Sequence, residues 1–272
     1  MIYITTALAC EAKPLISHYR LKKLTSHNAF PCYLNDDICL IVSGMGRVAM
    51  AAATAYLGAI EGDCEVNGSW INVGIAGHSR YALGTAVLAD KVVEQGTKKV
   101  WYPVFTFSPK ECTTCLMTLD TPETSYHDDC MYDMEGSAFI ETASRFTSFE
   151  SIQLFKVISD NAHSGFDHIN KNYVSDLLGA HLSAIDDLVH RLRDVQAKLD
   201  DGVNDDEDYT RLLETANFSF SQQLKLRRLL QRYSSLESEQ RVCENLDLSS
   251  PSAKVILSEL ERLVVDLALT KS

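Results

Sequence analysis

The chain is expected to fold as an α/β protein with a mostly parallel, mixed central sheet flanked by helices, followed by a helical C-terminal extension. Three observations point there. Short, solidly apolar runs alternate with helix-like segments; most of the runs end in a glycine turn or a carboxylate; and the last quarter of the chain carries only helical periodicity. Strands apolar on both faces belong to sheets covered on both sides.

The elements follow in order. Ile2 to Ala7 reads as a buried strand, and Glu11 to Tyr19 as a helix that tolerates Pro14 in its first turn. Ile38 to Ser43 is a second strand, broken by Gly44-Met45-Gly46 and followed by an alanine-rich helix over Arg47 to Ile60. Trp70 to Val73 is a third strand, broken by Gly74-Ile75-Ala76-Gly77, and Gly84 to Val93 and Thr114 to Leu119 are further strand regions. Met134 to Phe146 reads as a helix and Leu154 to Ile158 as a strand ending at Ser159-Asp160. Asn172 to Leu199 keeps one helical stripe through Val174, Leu178, Ile185, Val189 and Leu192. Residues 200–208 are acidic and poor in large apolar side chains, as in a linker. The expected organisation is an α/β domain over 1–199, the acidic linker over 200–208 and a helical extension over 209–272. The extension has one helix near 219–239 and another capped by Ser250-Pro251.

Composition narrows the function classes. A net charge of −12 makes the chain a poor ligand for nucleic acid or an anionic membrane, because neutralising phosphates needs clustered Lys and Arg. No apolar run reaches the roughly 18–20 residues that span a bilayer, and the N-terminus has no basic region of a secretory leader, so the expected compartment is the cytoplasm. The eight cysteines then read as small buried hydrophobes rather than disulfides. Cys112 and Cys115 form a C-x-x-C with His127 and Cys130 downstream, but one such pair without a second is a weak zinc signature, and no metal is expected.

In a doubly wound sheet, ligands bind beyond the carboxyl ends of the strands. Glu11, the Gly44 turn, the Gly74–Gly77 turn and Ser159-Asp160 all fall at such ends. Each has a plain structural reading: glycines serve tight turns, Asp160 suits an N-cap, and Glu135 at a helix start suits the helix dipole. What separates them from that reading is that all of them face one rim.

These segments, in this order, resemble the nucleoside phosphorylase/nucleosidase superfamily, and within it the 5′-methylthioadenosine/S-adenosylhomocysteine nucleosidase branch. The likeness is carried by Thr6-Ala7-Leu8-Ala9-Cys10-Glu11, Ser43-Gly44-Met45-Gly46-Arg47, Asn72-Val73-Gly74-Ile75-Ala76-Gly77, Tyr132-Asp133-Met134-Glu135-Gly136 and Val157-Ile158-Ser159-Asp160, and it spans roughly residues 1–195. The resemblance implies a three-layer sandwich of the phosphorylase type and cleavage of an N-ribosidic bond through an oxocarbenium-like transition state. It implies Asp160 as general acid at a purine nitrogen and Glu11 as the group that orients the attacking water. Glu135 would accept hydrogen bonds from the ribose hydroxyls and Met134 would pack on the ribose, with Gly44, Ala76, Gly77 and Ser159 completing the substrate site. No cofactor is implied, and the partner is a small nucleoside; superfamily members commonly form homo-oligomers, here expected as a dimer.

Two other readings stand beside hydrolysis. A phosphorylase would use phosphate as co-substrate and needs cationic donors. Arg47 and Arg80 lie near the glycine turns, but Cys10 and Ser69 to Asn72 stand where the phosphorylases carry arginines, so water is favoured. A non-catalytic nucleoside-binding or interaction protein has less use for three carboxylates. The stretch from Gly96 to Tyr132 is short, and residues 114–124 lack the aromatic that stacks on adenine in the family; Tyr126, His127, His163 and Phe166 are the replacements at hand. In the extension, Lys225, Arg227, Arg228 and Arg232 either form the wet face of a packed helix or meet a protein partner.

Overall fold

A computed structural model of the chain describes residues 1–25, 29–60, 68–164, 168–201, 206–236, 241–246 and 252–270. The chain divides between Gln196 and Ala197 into two units. The first runs β1 (Ile2–Thr6), α1 (Ala9–His18), β2 (Lys22–Lys23), β3 (Cys32–Leu34), β4 (Ile38–Val42), α2 (Arg47–Ile60), β5 (Ser69–His78), β6 (Ala86–Glu94), β7 (Val100–Trp101), β8 (Cys112–Thr118), β9 (Met131–Asp133), α3 (Gly136–Ala143), β10 (Ile152–Asn161), α4 (Lys171–Gly179) and α5 (Leu182–Asp201) as far as Gln196, the last turn of α5 falling to the second unit.

Strand β1 lies between β4 and β5 and is parallel to both. From β5 the pairing continues through β10, β6, β8 and β9, and β9 returns to β5 at Gly77 opposite Tyr132 and His78 opposite Met131. Five strands therefore close on themselves, while β1, β4, β3 and β2 extend the sheet from β5. This corrects the expected three-layer sandwich: the fold is a mixed α/β structure whose sheet closes into a barrel. The reason is strand length. Both β5 and β10 run for ten residues, through Gly74–Gly77 and through Ser159-Asp160, where the sequence suggests breaks. The glycines of β5 make room for neighbouring side chains rather than a turn. A bulge between Ile158 and Asp160 lets β10 keep pairing with β5 to its end.

Helices cover both faces. Met50, Ala53 and Leu57 of α2 and Phe139, Ile140 and Ala143 of α3 pack in one core. Ala12 and Leu15 of α1, Leu178 of α4 and Ile185, Leu188, Val189 and Leu192 of α5 form the other with Ile4, Val73 and Phe155. The single helix expected over 172–199 is two. It breaks at Ala180-His181, where His181 Nε2 hydrogen-bonds the Gly84 carbonyl at 2.7 Å and ties the corner to the loop before β6.

The second unit contains α6 (Asp206–Thr215), α7 (Phe220–Leu236), α8 (Val242–Asn245) and α9 (Ala253–Thr270) around its own core, including Leu212, Leu226, Leu230, Ile256 and Leu260. Buried Asp208 accepts from the Val242 amide at 2.9 Å and links α6 to α8. The acidic stretch read as a linker is helical at both ends, through Asp201 and from Asp206, and its centre lies outside the described residues, as does the Ser250-Pro251 cap. Of the basic side chains of α7, Lys225 pairs with Glu261 of α9 at 2.7 Å and the Arg227 guanidinium stacks over Tyr209 of α6. The Arg228 side chain is outside the described residues. Among the described residues no helix is long and apolar enough to cross a membrane.

Phe155 is fully buried on β10, the barrel strand that pairs with both β5 and β6. Phe155→Ala is expected to lower stability by about 3–5 kcal/mol in urea denaturation through the cavity it leaves.

Candidate active site

At the carboxyl ends of β1, β5 and β10 a cavity of about 520 Å³ opens, a size suited to a small organic ligand. Glu11, Ala76, Gly77, Met134, Glu135, Ser159 and Asp160 all line it. Gly44 does not: its positive φ of 87° shapes the turn after β4, and its amide donates to the Ala7 carbonyl at 3.0 Å. Its neighbours serve the site instead: Met45 lines the cavity, and the Gly46 amide donates to Glu135.

Glu11 stands in the first turn of α1 and folds back over the helix start. Its Oε2 accepts from the amides of Ala7 and Leu8 at 2.9 and 2.8 Å, and its Oε1 accepts from the Ile75 amide at 3.1 Å. These three donors fix the carboxylate between the β1 loop and β5. A Cβ on Gly74 would come within 2.9 Å of Oε1, so β5 carries glycine where the carboxylate crosses it. Burial pushes the Glu11 carboxyl above its ordinary pKa.

Glu135 precedes α3, and its Oε1 accepts from the Gly46 amide at 2.6 Å, joining the β4 turn to the α3 start. Its pKa is pushed up to about 7, by burial first and then by the Asp133 carboxylate. Asp133 is itself held by Thr118 Oγ1 at 2.8 Å, by the Gly136 amide at 2.8 Å and by Lys156 Nζ at 2.9 Å. Lys156 is fully buried in the middle of β10. Burial pulls its pKa down, but Asp133, Glu135 and Glu11 together outweigh that and hold the ammonium above its usual value. One cation thus serves three carboxylates beneath the cavity. The sequence reading missed Lys156; the signal was a lone lysine inside the apolar run Leu154-Phe155-Lys156-Val157-Ile158, which a buried strand tolerates only with a carboxylate partner.

Asp160 sits at the end of β10. Ser159 Oγ donates to its Oδ1 and the Tyr126 hydroxyl donates to its Oδ2. Tyr126 comes from the β8–β9 loop, is buried and adopts a positive φ of 46°. The turn before it is fixed by Glu123, whose Oε1 accepts from the Thr124 and Ser125 amides. Gly77 is the space that Asp160 and Tyr126 fill: a Cβ there would lie 2.5 Å from Asp160 Oδ2 and 2.7 Å from the Tyr126 ring. Of the aromatic candidates for the base end, Tyr126 reaches the cavity, His127 and His163 are exposed and do not line it, and Phe166 lies outside the described residues.

The cationic candidates point elsewhere. Arg47 is bound by Glu94 and, at 2.7 Å, by Asp120; Arg80 is bound by Asp129. Five carboxylates (Glu11, Glu123, Asp133, Glu135 and Asp160) line the cavity, and among the described residues no lysine, arginine or histidine does. No group of three or more possible metal ligands is present among the described residues, Cys112, Cys115 and Cys130 included.

The fold has counterparts among solved structures. The chain has the fold of the 5′-methylthioadenosine/S-adenosylhomocysteine nucleosidases. One such nucleosidase aligns with a TM-score of 0.57 at 18% identity, over 70% of this chain and 95% of that one. The enzyme from Colwellia psychrerythraea in complex with adenine aligns at 0.53 and 18% identity, over 65% and 94%. An Asp-to-Asn variant from Helicobacter pylori with 5′-methylthioadenosine in its active site aligns at 0.52 and 12% identity, over 70% and 98%. No protein-family model matches the chain, and no curated protein matches it in sequence.

Two predictions follow from the charges. Lys156→Met leaves Asp133 buried without its counter-ion and is expected to cost about 3–5 kcal/mol in denaturant unfolding, with Lys156→Arg recovering part of the loss. Glu135 ionises from an ordinary value of 4.5 in the unfolded chain but only near 7 in the fold. Its contribution to stability is therefore fully present below about pH 4.5 and lost as the pH rises to about 7. In Glu135→Gln, which keeps the neutral form at every pH, the fall in unfolding free energy across that window should be shallower than in the wild type.

Proposed function

We propose that the chain hydrolyses the N-ribosidic bond of a purine-like nucleoside and releases the free base. The observation that carries the reading is one cavity lined by Glu11, Glu135 and Asp160 with no cationic side chain, among the described residues, on its wall. Bond breaking places positive charge on the ribosyl carbon, which a carboxylate-lined site stabilises. Glu135 accepts hydrogen bonds from the ribose hydroxyls, Met134 packs on the sugar and Glu11 orients the water that attacks the anomeric carbon. Asp160 supplies the proton with which the base departs neutral.

The same wall argues against phosphate as nucleophile and against a 5′-phosphorylated substrate, since both need cationic or multiple amide donors. Arg47 and Arg80, the cations nearest the glycine turns in sequence, are held by carboxylates. Leu8, Met45, Pro122 and Ile169 add apolar wall suited to an uncharged 5′-substituent. The similarly folded proteins named for methylthioadenosine and S-adenosylhomocysteine support a 5′-thio purine nucleoside as the first substrate to try.

Incubating a panel of purine nucleosides with and without phosphate, and assaying free base, tests this. Base is expected without phosphate; release only with phosphate sinks the hydrolytic assignment, and binding without release sinks the enzymatic one. Asp160→Asn should lower kcat for base release by about 10²–10⁴-fold, the usual worth of a positioned general acid.

A further inference from the structure

The hydrolytic reading leaves one feature of the base end unused. Both oxygens of Asp160 are engaged by protein hydroxyls, Oδ1 by Ser159 and Oδ2 by Tyr126. The Tyr126 oxygen is therefore in direct hydrogen-bond contact with the proposed acid, and both side chains line the cavity. Resting on that reading, we infer that Tyr126 is a catalytic residue: its hydroxyl hands the proton to the departing base and is resupplied by Asp160.

The geometry is prepared for this task. Tyr126 is set by the Glu123-capped turn and its own left-handed backbone, and its ring lies edge-on to Tyr132 with centroids 5.8 Å apart. The missing side chain of Gly77 allows the phenol and the carboxyl to meet. A phenol both donates and accepts, so it can pass a proton that it does not keep. Burial and the Asp160 carboxylate push the phenol well above its usual pKa, which keeps it protonated and makes it a donor only in concert with Asp160. The phenol and the carboxyl thus meet at the cavity wall, where a departing base can reach the phenol oxygen.

The step balances. As the bond between the anomeric carbon and the base nitrogen breaks, its electron pair goes to the base. In the reactive form the hydrogen bond between the two runs the other way, with the carboxyl proton of Asp160 pointing at the phenol oxygen and the phenolic proton at the base; the base takes the phenolic proton, and the Tyr126 oxygen takes the carboxyl proton, which leaves Asp160 ionised. Water adds to the ribosyl cation and gives up a proton, and the return of one proton to Asp160 resets the pair.

The test separates leaving groups. Purine nucleosides, headed by 5′-methylthioadenosine, need a proton to lose the base; 4-nitrophenyl riboside does not, because nitrophenolate departs as an anion. Tyr126→Phe is expected to lower kcat on the purine substrate by about a hundredfold or more but on the nitrophenyl riboside by less than about tenfold. Asp160→Asn should show the same asymmetry. Equal losses on both substrates, as a disrupted fold would give, overturn the relay, and so does unchanged purine release. If the wild-type chain releases no base from any nucleoside, the hydrolytic reading itself falls, and the relay with it; that outcome is read from the wild type alone.

Discussion

The site rests on the ion pair between Lys156 and Asp133. A protein interior is a poor place for charge, and several kcal/mol are needed to strip water from each ion. The pair persists because Thr118 Oγ1 and the Gly136 amide complete the hydrogen bonding of Asp133. Once fixed, the ammonium lies close enough to Glu11 and Glu135 for both to raise its pKa. Without it, three carboxylates would share a buried space with no counter-charge. The barrel closure depends on the same strands, since β10 carries Lys156, β9 carries Asp133 and both pair into the ring through β5.

From that pair outward, each proposed role falls on a group with a distinct anchor. Glu11 is tied to backbone amides, Glu135 to the glycine turn after β4, and Asp160 to hydroxyls. Different anchors give carboxyl groups within one cavity different electrostatic surroundings, which lets like residues take unlike tasks. The glycines of β5 belong to the same design. Gly74 and Gly77 are required by the close approach of Glu11 and of the Asp160–Tyr126 pair, so a strand that reads as interrupted is continuous.

Much of this was legible in the sequence for physical reasons. Buried parallel strands must be apolar on both faces, which marked β1, β4 and β10, and helices must bury a stripe, which marked α2 and the α4–α5 region. The residues Glu11, Glu135 and Asp160 could be picked out because each follows such a strand or opens a helix. Tyr126 could not be singled out among its neighbours. It lies in an irregular loop, where no periodicity indicates which side chain turns inward, and its position depends on a positive φ and on a glycine some fifty residues earlier in the chain.

By itself, then, the sequence determined the α/β class, the order of the main elements and the carboxylates at the strand ends, because burial and periodicity are local properties. Only the tertiary structure decided that β5 runs on through its glycines and β10 through its bulge to close a barrel, that Lys156 finds Asp133, that Arg47 and Arg80 are bound by carboxylates, and that Tyr126 meets Asp160. Those are contacts between segments far apart in the chain, set by strand register and by the space a missing Cβ leaves, and neither quantity is written in any one stretch of residues.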